Sequence, residues 1–411
     1  MAVLGGDVPF HARSPYTATV TIQQPDRAKS EEYGVTSEER REARYQRRKA
    51  NRAKKKQEQY GNCDCFDSVF SYGNLYQSYR KCRKDVAWKA SVQKYITQAP
   101  LLVEQTYQQL HTGKFRTKGF VEFDINERGK KRHIRSVTIN ERVVQRCLCD
   151  YALMPVLSRS FIHDNGASRL GKGYSFAIRR LSQHLHEHYR QHGTDGYILL
   201  FDFRKYFDSI SHELVKRLMR REISDDRLLA LADHFVDAFG DVGLGLGSQV
   251  SQILALAAAD RLDHYVKETC RIRGYGRYMD DGYLIHFDKD YLRRCLDGMR
   301  KICDELGITL NEKKTQIVKL SHGFTWLKVK FFLLPSGRVV RKMNRGSITK
   351  ARQKLKAMRN MVEAGKLTYD DVYASWQSWQ AYSRQFDAYR TRQSIGQLYD
   401  ELFVMPMLNH T

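Results

Sequence analysis

Three aspartates stand where their carboxylates could do chemistry. Asp280 and Asp281 are adjacent in RYMDDGYLIHF (277–287), between two apolar half-strands at 275–279 and 283–287. Asp202 closes another apolar run, in GYILLFDFRKYF (196–207). Neighbouring side chains on a strand point to opposite faces, so a buried strand gains nothing from an adjacent acid pair. Unpaired charge is also costly to bury. At a hairpin tip facing a third acid from a neighbouring strand, the pair becomes useful. Three converging carboxylates make a hard, oxygen-rich site suited to Mg²⁺. Two such ions roughly 3.5–4 Å apart can activate a hydroxyl and stabilise a leaving pyrophosphate. A turn with solvated acids would also satisfy the adjacent pair alone; the strand ending at Asp202 argues for a site.

The elements that must position these acids sit in a long, basic chain. Its 411 residues are 42% hydrophobic, enough for a large core in two or three domains. The formal charge of +24 and a pI near 9.6 point to a polyanionic partner, nucleic acid before a membrane surface. No signal peptide and no apolar run of about 18 residues is evident, so a soluble, cytoplasmic protein is expected. Eight cysteines are read as reduced thiols.

Residues 1–36 are polar and without period. In SEERREARYQRRKANRAKKKQEQ (37–59), Thr36 and Glu39 have capping-box spacing and the composition favours a helix. Between Arg40 and Lys56 it holds ten Lys or Arg against one Glu, with no apolar stripe, and reads as a nucleic-acid-binding arm. Residues 74–112 have helical periodicity, and 113–139 alternate as a hairpin with turns at Gly119 and Arg128-Gly129. Helices are expected from Asn140, at 175–192, from 211, at 225–239, after the Gly-rich stretch 240–248, and at 290–306. A strand near 315–320 and a hairpin at 324–342 follow, then a basic helical end. Long helices alternating with a few strands indicate an α+β architecture.

In order along 110–345, these segments resemble the motifs of reverse transcriptases. The resemblance implies a right-hand polymerase fold: a basic extension at 1–60, fingers at 61–195, a palm at 196–335 with part of the fingers inserted around 211–245, and a helical thumb at 336–411. It also implies an RNA-directed DNA polymerase using two Mg²⁺ ions, with Mn²⁺ able to substitute. Asp202, Asp280 and Asp281 would hold the metal, with the backbone carbonyl of Phe203. Arg132 resembles the fingertip residue that grips the incoming triphosphate, with Lys131 and Arg135 as neighbouring alternatives. Phe207 stands at the bulky sugar gate, where a phenyl ring would exclude a ribose 2′-hydroxyl and favour dNTPs. Lys314 in LGITLNEKKTQI (306–317) would serve the pyrophosphate, with Lys313 as a competitor. FTWLKVKFF (324–332) resembles the primer-grip hairpin, which puts Trp326 and Lys328 on nucleic acid. Asp164-Asn165-Gly166 with Arg169 and Lys172 is a looser match to the second fingers motif.

The glycine-rich turn departs from most relatives. Many carry Gln-Gly, three residues, then Ser-Pro; here Leu246-Gly247-Ser248-Gln249-Val250-Ser251-Gln252 replaces the Gln with Leu246 and the Pro with Gln252. That form resembles the enzymes of diversity-generating retroelements, which misincorporate opposite template adenine. An apolar side chain at 246 removes a polar contact to the nucleotide, and lost contacts lower discrimination. Gly247 would let the backbone approach the substrate. The implied partners are a template RNA, the RNA/cDNA duplex, dNTPs and a small accessory protein, in a bacterial host cell. An antiphage-defence reverse transcriptase is the alternative, and an RNA-templated RNA polymerase a more distant one.

RKMNRGSITKARQKLKAMRNMVEAG (341–365) suggests a thumb helix capped by Ser347, with Ile348, Leu355, Met358 and Val362 as a core stripe. Arg341, Lys342, Arg345, Lys350, Arg352 and Lys354 would then lie on the duplex backbone, where contacts carry no sequence information. Trp376, Trp379, Tyr382 and Phe386 read as thumb core. Cys63-x-Cys65 and Cys147-x-Cys149 have the wrong spacing for a common zinc knuckle. His184, His186 and His188 are expected on a solvated or RNA-facing helix surface.

Overall fold

The structure, a computed structural model, describes residues 36–127 and 130–405, apart from the side chains at 52, 53, 56, 57, 59, 127, 130 and 132. The polar lead-in at 1–35 and the turn expected at Arg128-Gly129 lie outside the described residues. The chain divides into two compact units, Met1–Glu58 and Gln59–Thr411. In the first, the helix Ser37–Tyr60 begins as its sequence requires. The Thr36 amide donates to Glu39 Oε2 at 2.7 Å and the Glu39 amide to Thr36 Oγ1 at 3.1 Å, a capping box.

The second unit holds nine strands among its described residues: β1 (Val121–Glu127), β2 (Lys130–Ser136), β3 (Tyr197–Asp202), β4 (Gly274–Tyr278), β5 (Asp281–His286), β6 (Gln316–Lys319), β7 (Phe324–Trp326), β8 (Val329–Leu333) and β9 (Val339–Met343). They form a β1-β2 hairpin, a four-stranded sheet in the order β4-β5-β3-β6, and a three-stranded sheet β7-β8-β9. All named pairings are antiparallel. The expected hairpin at 324–342 is thus two hairpins sharing β8.

The four-stranded sheet is covered on both faces, which is why its strands read as unbroken apolar runs. Leu199 and Phe201 of β3 and Leu284 of β5 enter a large core that extends from Phe66 to Leu310. Ile198 and Leu200, with Tyr283 and Ile285, enter a second core under the three-stranded sheet and the helix Tyr174–His192. A third core, with Leu355, Met358, Val372 and Trp376, belongs to the helices Arg345–Glu363, Tyr369–Ser383 and Tyr389–Tyr399. Asn344, rather than Ser347, caps the first of these, accepting from the Gly346 amide at 2.9 Å. The expected stripe is present, with Ile348 and Val362 partly buried beside Leu355 and Met358.

The 74–112 stretch is three helices, Tyr72–Arg83, Ala90–Thr97 and Ala99–His111. Thr138 caps the helix Ile139–Leu148, one residue earlier than expected. No helix of the described residues is long and apolar enough to cross a membrane.

Candidate active site

Register brings the acids together. Asp202, the last residue of β3, pairs directly with Asp281, the first of β5. Directly opposite residues share a face with Cβ atoms about 4.5–5.5 Å apart. β4 turns into β5 through Met279 and Asp280, with Tyr278 paired to Asp281 and Met279 at φ 57°. A left-handed backbone on a non-glycine residue is uncommon; here it closes the tip, and the Phe203 amide donates to the Asp280 carbonyl at 3.2 Å. Gly282 follows because the Phe201 ring crosses the position a Cβ would occupy.

Asp202 is buried and held from two sides by the 311–314 turn. Asn311 Nδ2 donates to Oδ1 at 3.1 Å, the Asn311 amide donates to the Asp202 carbonyl at 2.7 Å, and Lys314 Nζ donates to Oδ2 at 2.5 Å. Lys314, though its side chain is half exposed, is therefore the lysine set against the acids. Burial first, then the charges of Asp280 and Asp202, push the Asp281 carboxyl up to about 7. Burial disfavours the charged Lys314, but its bond to Asp202 and the charges of the three acids outweigh this and raise its pKa.

Crowded carboxylates that resist ionising together constitute a site short of positive charge. As they stand, no three His, Cys, Asp or Glu side chains among the described residues are gathered closely enough to hold a metal. Asp202 is instead neutralised by the Lys314 ammonium. The donors are the hard oxygens a divalent ion prefers, and the ammonium stands in for that cation. By the chemistry of their oxygens, though not by their present spacing, the residues suit such an ion.

The side expected to face the nucleotide is built by backbone. The Arg135 amide, near the end of β2, donates to the Leu246 carbonyl at 3.2 Å. A Cβ at Gly247, where φ is 113°, would lie 2.7 Å from the Arg135 carbonyl oxygen. The Leu244 amide donates to the Phe207 carbonyl at 2.6 Å, so the glycine-rich turn links the β1-β2 hairpin to Phe207, expected as the sugar gate. Phe207 is half-buried with its ring edge-on to Tyr206. Arg135 pairs with Glu122 at 3.0 Å and Lys131 with Asp124 at 2.9 Å; Arg132 faces Ile125 in the register, with its side chain outside the described residues. Gln252 is exposed and accepts from Ser168 at 3.3 Å.

A family model described as reverse transcriptase (RNA-dependent DNA polymerase) matches residues 123–331. The chain belongs to the reverse transcriptase family. A curated relative, protein YkfC of Escherichia coli K12, is 24% identical over 242 residues, covering 48% of this chain and 62% of YkfC. Among solved structures, telomerase from Candida albicans with a fragment of telomeric RNA superposes with TM-score 0.43 at 13% identity, covering 59% of this chain and 50% of that one. Apo telomerase from Candida tropicalis gives TM-score 0.42 at 14% identity, covering 54% and 55%. The chain spans about three-fifths of the YkfC length and about half of each telomerase chain.

Several expectations for its sites change. Trp326 is not presented to nucleic acid: it is 4% exposed and packs edge-on against Tyr283 with centroids 4.8 Å apart. The alternation Phe324-Thr325-Trp326 already put it on the inward face with Phe324. Lys328 lies at the exposed turn between β7 and β8, and Arg345, Lys350, Arg352 and Lys354 are exposed on their helix. Arg352 and Lys354 also donate to Ser394 and Ser375. Lys342 lies 5.3 Å from the Phe332 ring, and the Arg341 backbone is tied to Asp387. His184 and His188 are buried rather than surface residues. His184 Nδ1 meets the Tyr283 hydroxyl at 2.9 Å, and His188 Nε2 the Asp195 carbonyl at 2.6 Å.

Two positioning residues escaped the sequence. Arg277, fully buried, forms a two-pronged pair with Asp263 at 2.7 and 2.6 Å and donates to the Met279 carbonyl at 2.8 Å. It thereby holds the acid turn by its backbone. Asn311 is the other.

Proposed function

We propose that this chain is an RNA-directed DNA polymerase of a bacterial or phage retroelement, copying a template RNA into cDNA by two-metal nucleotidyl transfer. The observation that carries the reading is the direct pairing of Asp202 with Asp281, with Asp280 in the adjoining turn and Lys314 on Asp202. Asp202, Asp280, Asp281 and the Phe203 carbonyl would hold two Mg²⁺, or Mn²⁺. When bound, such ions supply activation of the primer 3′-hydroxyl and neutralisation of the leaving pyrophosphate. Lys314, released from Asp202, is then placed to give a proton or charge to the pyrophosphate. Arg132, with Lys131 and Arg135, grips the triphosphate, and Phe207 turns away a 2′-hydroxyl. Residues 61–195 serve as fingers, 196–335 as palm and 336–411 as thumb; the separate core of the last helices supports that division.

Within the family we assign the diversity-generating type, on Leu246 and Gln252 in the turn at the nucleotide side. An accessory protein and the template RNA are its partners. The deciding experiment extends a DNA primer on RNA with dNTPs. Asp280→Asn with Asp281→Asn should lower the rate by about 10³-fold or more, since both would be metal ligands. RNA affinity should stay within about threefold, because phosphate contacts dominate it. Extension that persisted in the double variant would remove the polymerase assignment.

A further inference from the structure

A cavity of about 510 Å³ opens between the helices Ala90–Thr97 and Ala99–His111, residues 114–118 and the start of the helix Ile139–Leu148. Its volume is that of a small-molecule site. Nothing in the polymerase reading uses it.

One lining residue is an acid with an oxygen to spare. Glu141 is 4% exposed and is the only acid among the described residues that line the cavity. It stands three residues after the cap Thr138, the spacing of a capping box, in which its carboxylate would accept from the Thr138 amide. Only half of the box forms: the Glu141 amide donates to Thr138 Oγ1 at 3.4 Å, and the carboxylate does not return the bond. Gln145 Oε1 accepts from the Ser248 hydroxyl at 3.1 Å, which leaves its Nε2 to donate to Glu141 Oε1 at 3.3 Å. Glu141 Oε2 is buried and has no hydrogen-bond partner among the described residues. Burial raises the Glu141 carboxyl, against the pull of the Lys118 amide and Gln145. A buried acceptor without a donor is costly, and an occupant that brings one removes the cost.

The neighbouring groups are as specific. Asn140 Oδ1 accepts from the Tyr95 hydroxyl at 3.3 Å and the Thr106 hydroxyl at 2.6 Å, so its Nδ2 is left to donate. Lys94, Lys114 and Lys118 line the cavity, exposed, and their ammonium groups make no ion pair or hydrogen bond among the described residues. A bare anion entering here would meet Glu141, and a cation would meet three ammonium groups. A ligand that suits both carries neutral N–H donors at one end and negative charge at the other. Nucleotides have this form. Guanine alone among the bases sets two donors, N1–H and N2–H, beside an acceptor, O6, the complement of Glu141 and Asn140. Adenine would set its N1 acceptor against the carboxylate, and uracil has one donor between two acceptors.

We propose that this cavity binds a guanosine phosphate. N1–H and N2–H donate to the Glu141 carboxylate, O6 accepts from Asn140 Nδ2, and the phosphates meet Lys94, Lys114 and Lys118. Through Gln145 and Ser248 the occupant sits one hydrogen-bonded chain from the glycine-rich turn. The inference goes beyond the polymerase reading and stands without it.

The test is calorimetric titration of the full-length protein with GDP in EDTA, so that no metal-dependent nucleotide site competes. GDP should bind, and ADP, UDP and CDP should bind about tenfold or more weakly, because each leaves a buried polar group unpaired. IDP lacks the N2 amine and should lose about two- to tenfold, the worth of one hydrogen bond. Glu141→Gln keeps the bond from Gln145 but sets an amide donor against guanine, and should erase the preference for GDP over ADP. K94Q/K114Q/K118Q should instead lower GDP to the affinity of guanosine and keep the preference for guanine, so each variant checks the other against misfolding. Displacement of GDP by a short oligouridylate containing one guanosine, and not by one without, would assign the cavity to a guanosine of RNA; displacement by neither assigns it to the free nucleotide. No binding at about 1 mM GDP, equal affinity for the four diphosphates, displacement by both oligouridylates alike, or an unchanged preference in Glu141→Gln overturns the proposal. Failure of the parent protein to extend primers would sink the polymerase reading and leave this binding readable.

Discussion

At the scale of single residues, backbone rather than side chain carries the glycine-rich turn. The Leu246 carbonyl is fixed by the Arg135 amide, so its side chain can change without moving the loop. Leu246→Gln should therefore restore a polar contact and little else. One net hydrogen bond is about 0.5–1.5 kcal/mol, so misincorporation opposite template adenine should fall about two- to tenfold. Sequencing cDNA from both proteins measures it, and an unchanged error spectrum would remove the account of this turn. Arg277 is a harsher case. Its pair with Asp263 is fully buried on both sides, so Arg277→Met leaves an uncompensated carboxylate and should cost about 3–5 kcal/mol in urea unfolding. Adding Asp263→Leu should recover much of that loss. Residual activity in the folded double variant should still be low, because the Met279 carbonyl loses its donor. The acids were legible in sequence because charge at the end of an apolar run has no structural use. Asn311 was not, because its partner Asp202 lies 109 residues away, and Arg277 was not, because it meets Asp263 from another element, outside any helix or strand period. No local period encodes such a bond.

At the scale of elements, the helix Tyr174–His192 shows where pattern reading stops. Its bounds were legible from its period, yet its histidines were expected on the surface. Two cores cover the four-stranded sheet, so a helix face that looks polar packs inward and finds partners. Asp164 is the hub, accepting from Arg180 at 2.6 Å and Lys267 at 2.9 Å, while its backbone accepts from the Arg277 amide at 3.1 Å. Burial alone would raise the Asp164 carboxyl, but His184, Arg180 and Lys267 outweigh it and hold the pKa far below the usual carboxylate range. A depressed folded pKa gives stability that is complete above the unfolded value of ~4 and lost as pH falls below it. The stability gap between the parent and Asp164→Asn should thus be constant from neutral pH to about 5 and shrink progressively below about 4. Urea midpoints across that range decide the matter; a gap that widened on acidification would contradict the network. The three-stranded β7-β8-β9 sheet was only half legible, since Pro335-Ser336-Gly337 reads as a loop whether or not the strand after it turns back to pair.

At the scale of the whole molecule, the charge of +24 has to be divided among surfaces. Arg40 to Lys56 holds ten Lys or Arg against one Glu, exposed wherever its side chains are described, with no apolar face to join a core. Such a helix can contribute only the non-specific part of RNA binding, which acts through counterion release. Arg47, Arg48 and Lys49 can be changed together to Gln, whose helix propensity is similar, so the helix and its capping box should persist. The slope of log affinity on log salt should then fall by about 2, whatever the RNA sequence, if the arm tracks single strands. Extension from a pre-annealed primer at saturating duplex should be unaffected, since none of the three lies near the paired acids in the chain. Affinity measured between about 50 and 200 mM salt on two unrelated RNAs separates the outcomes, because an electrostatic arm loses the same factor on both. A sequence-dependent loss would mean that the arm reads bases. An unchanged slope would leave the excess charge to the exposed lysines and arginines of Gln59–Thr411 and make the arm a solvated helix without a dedicated contact.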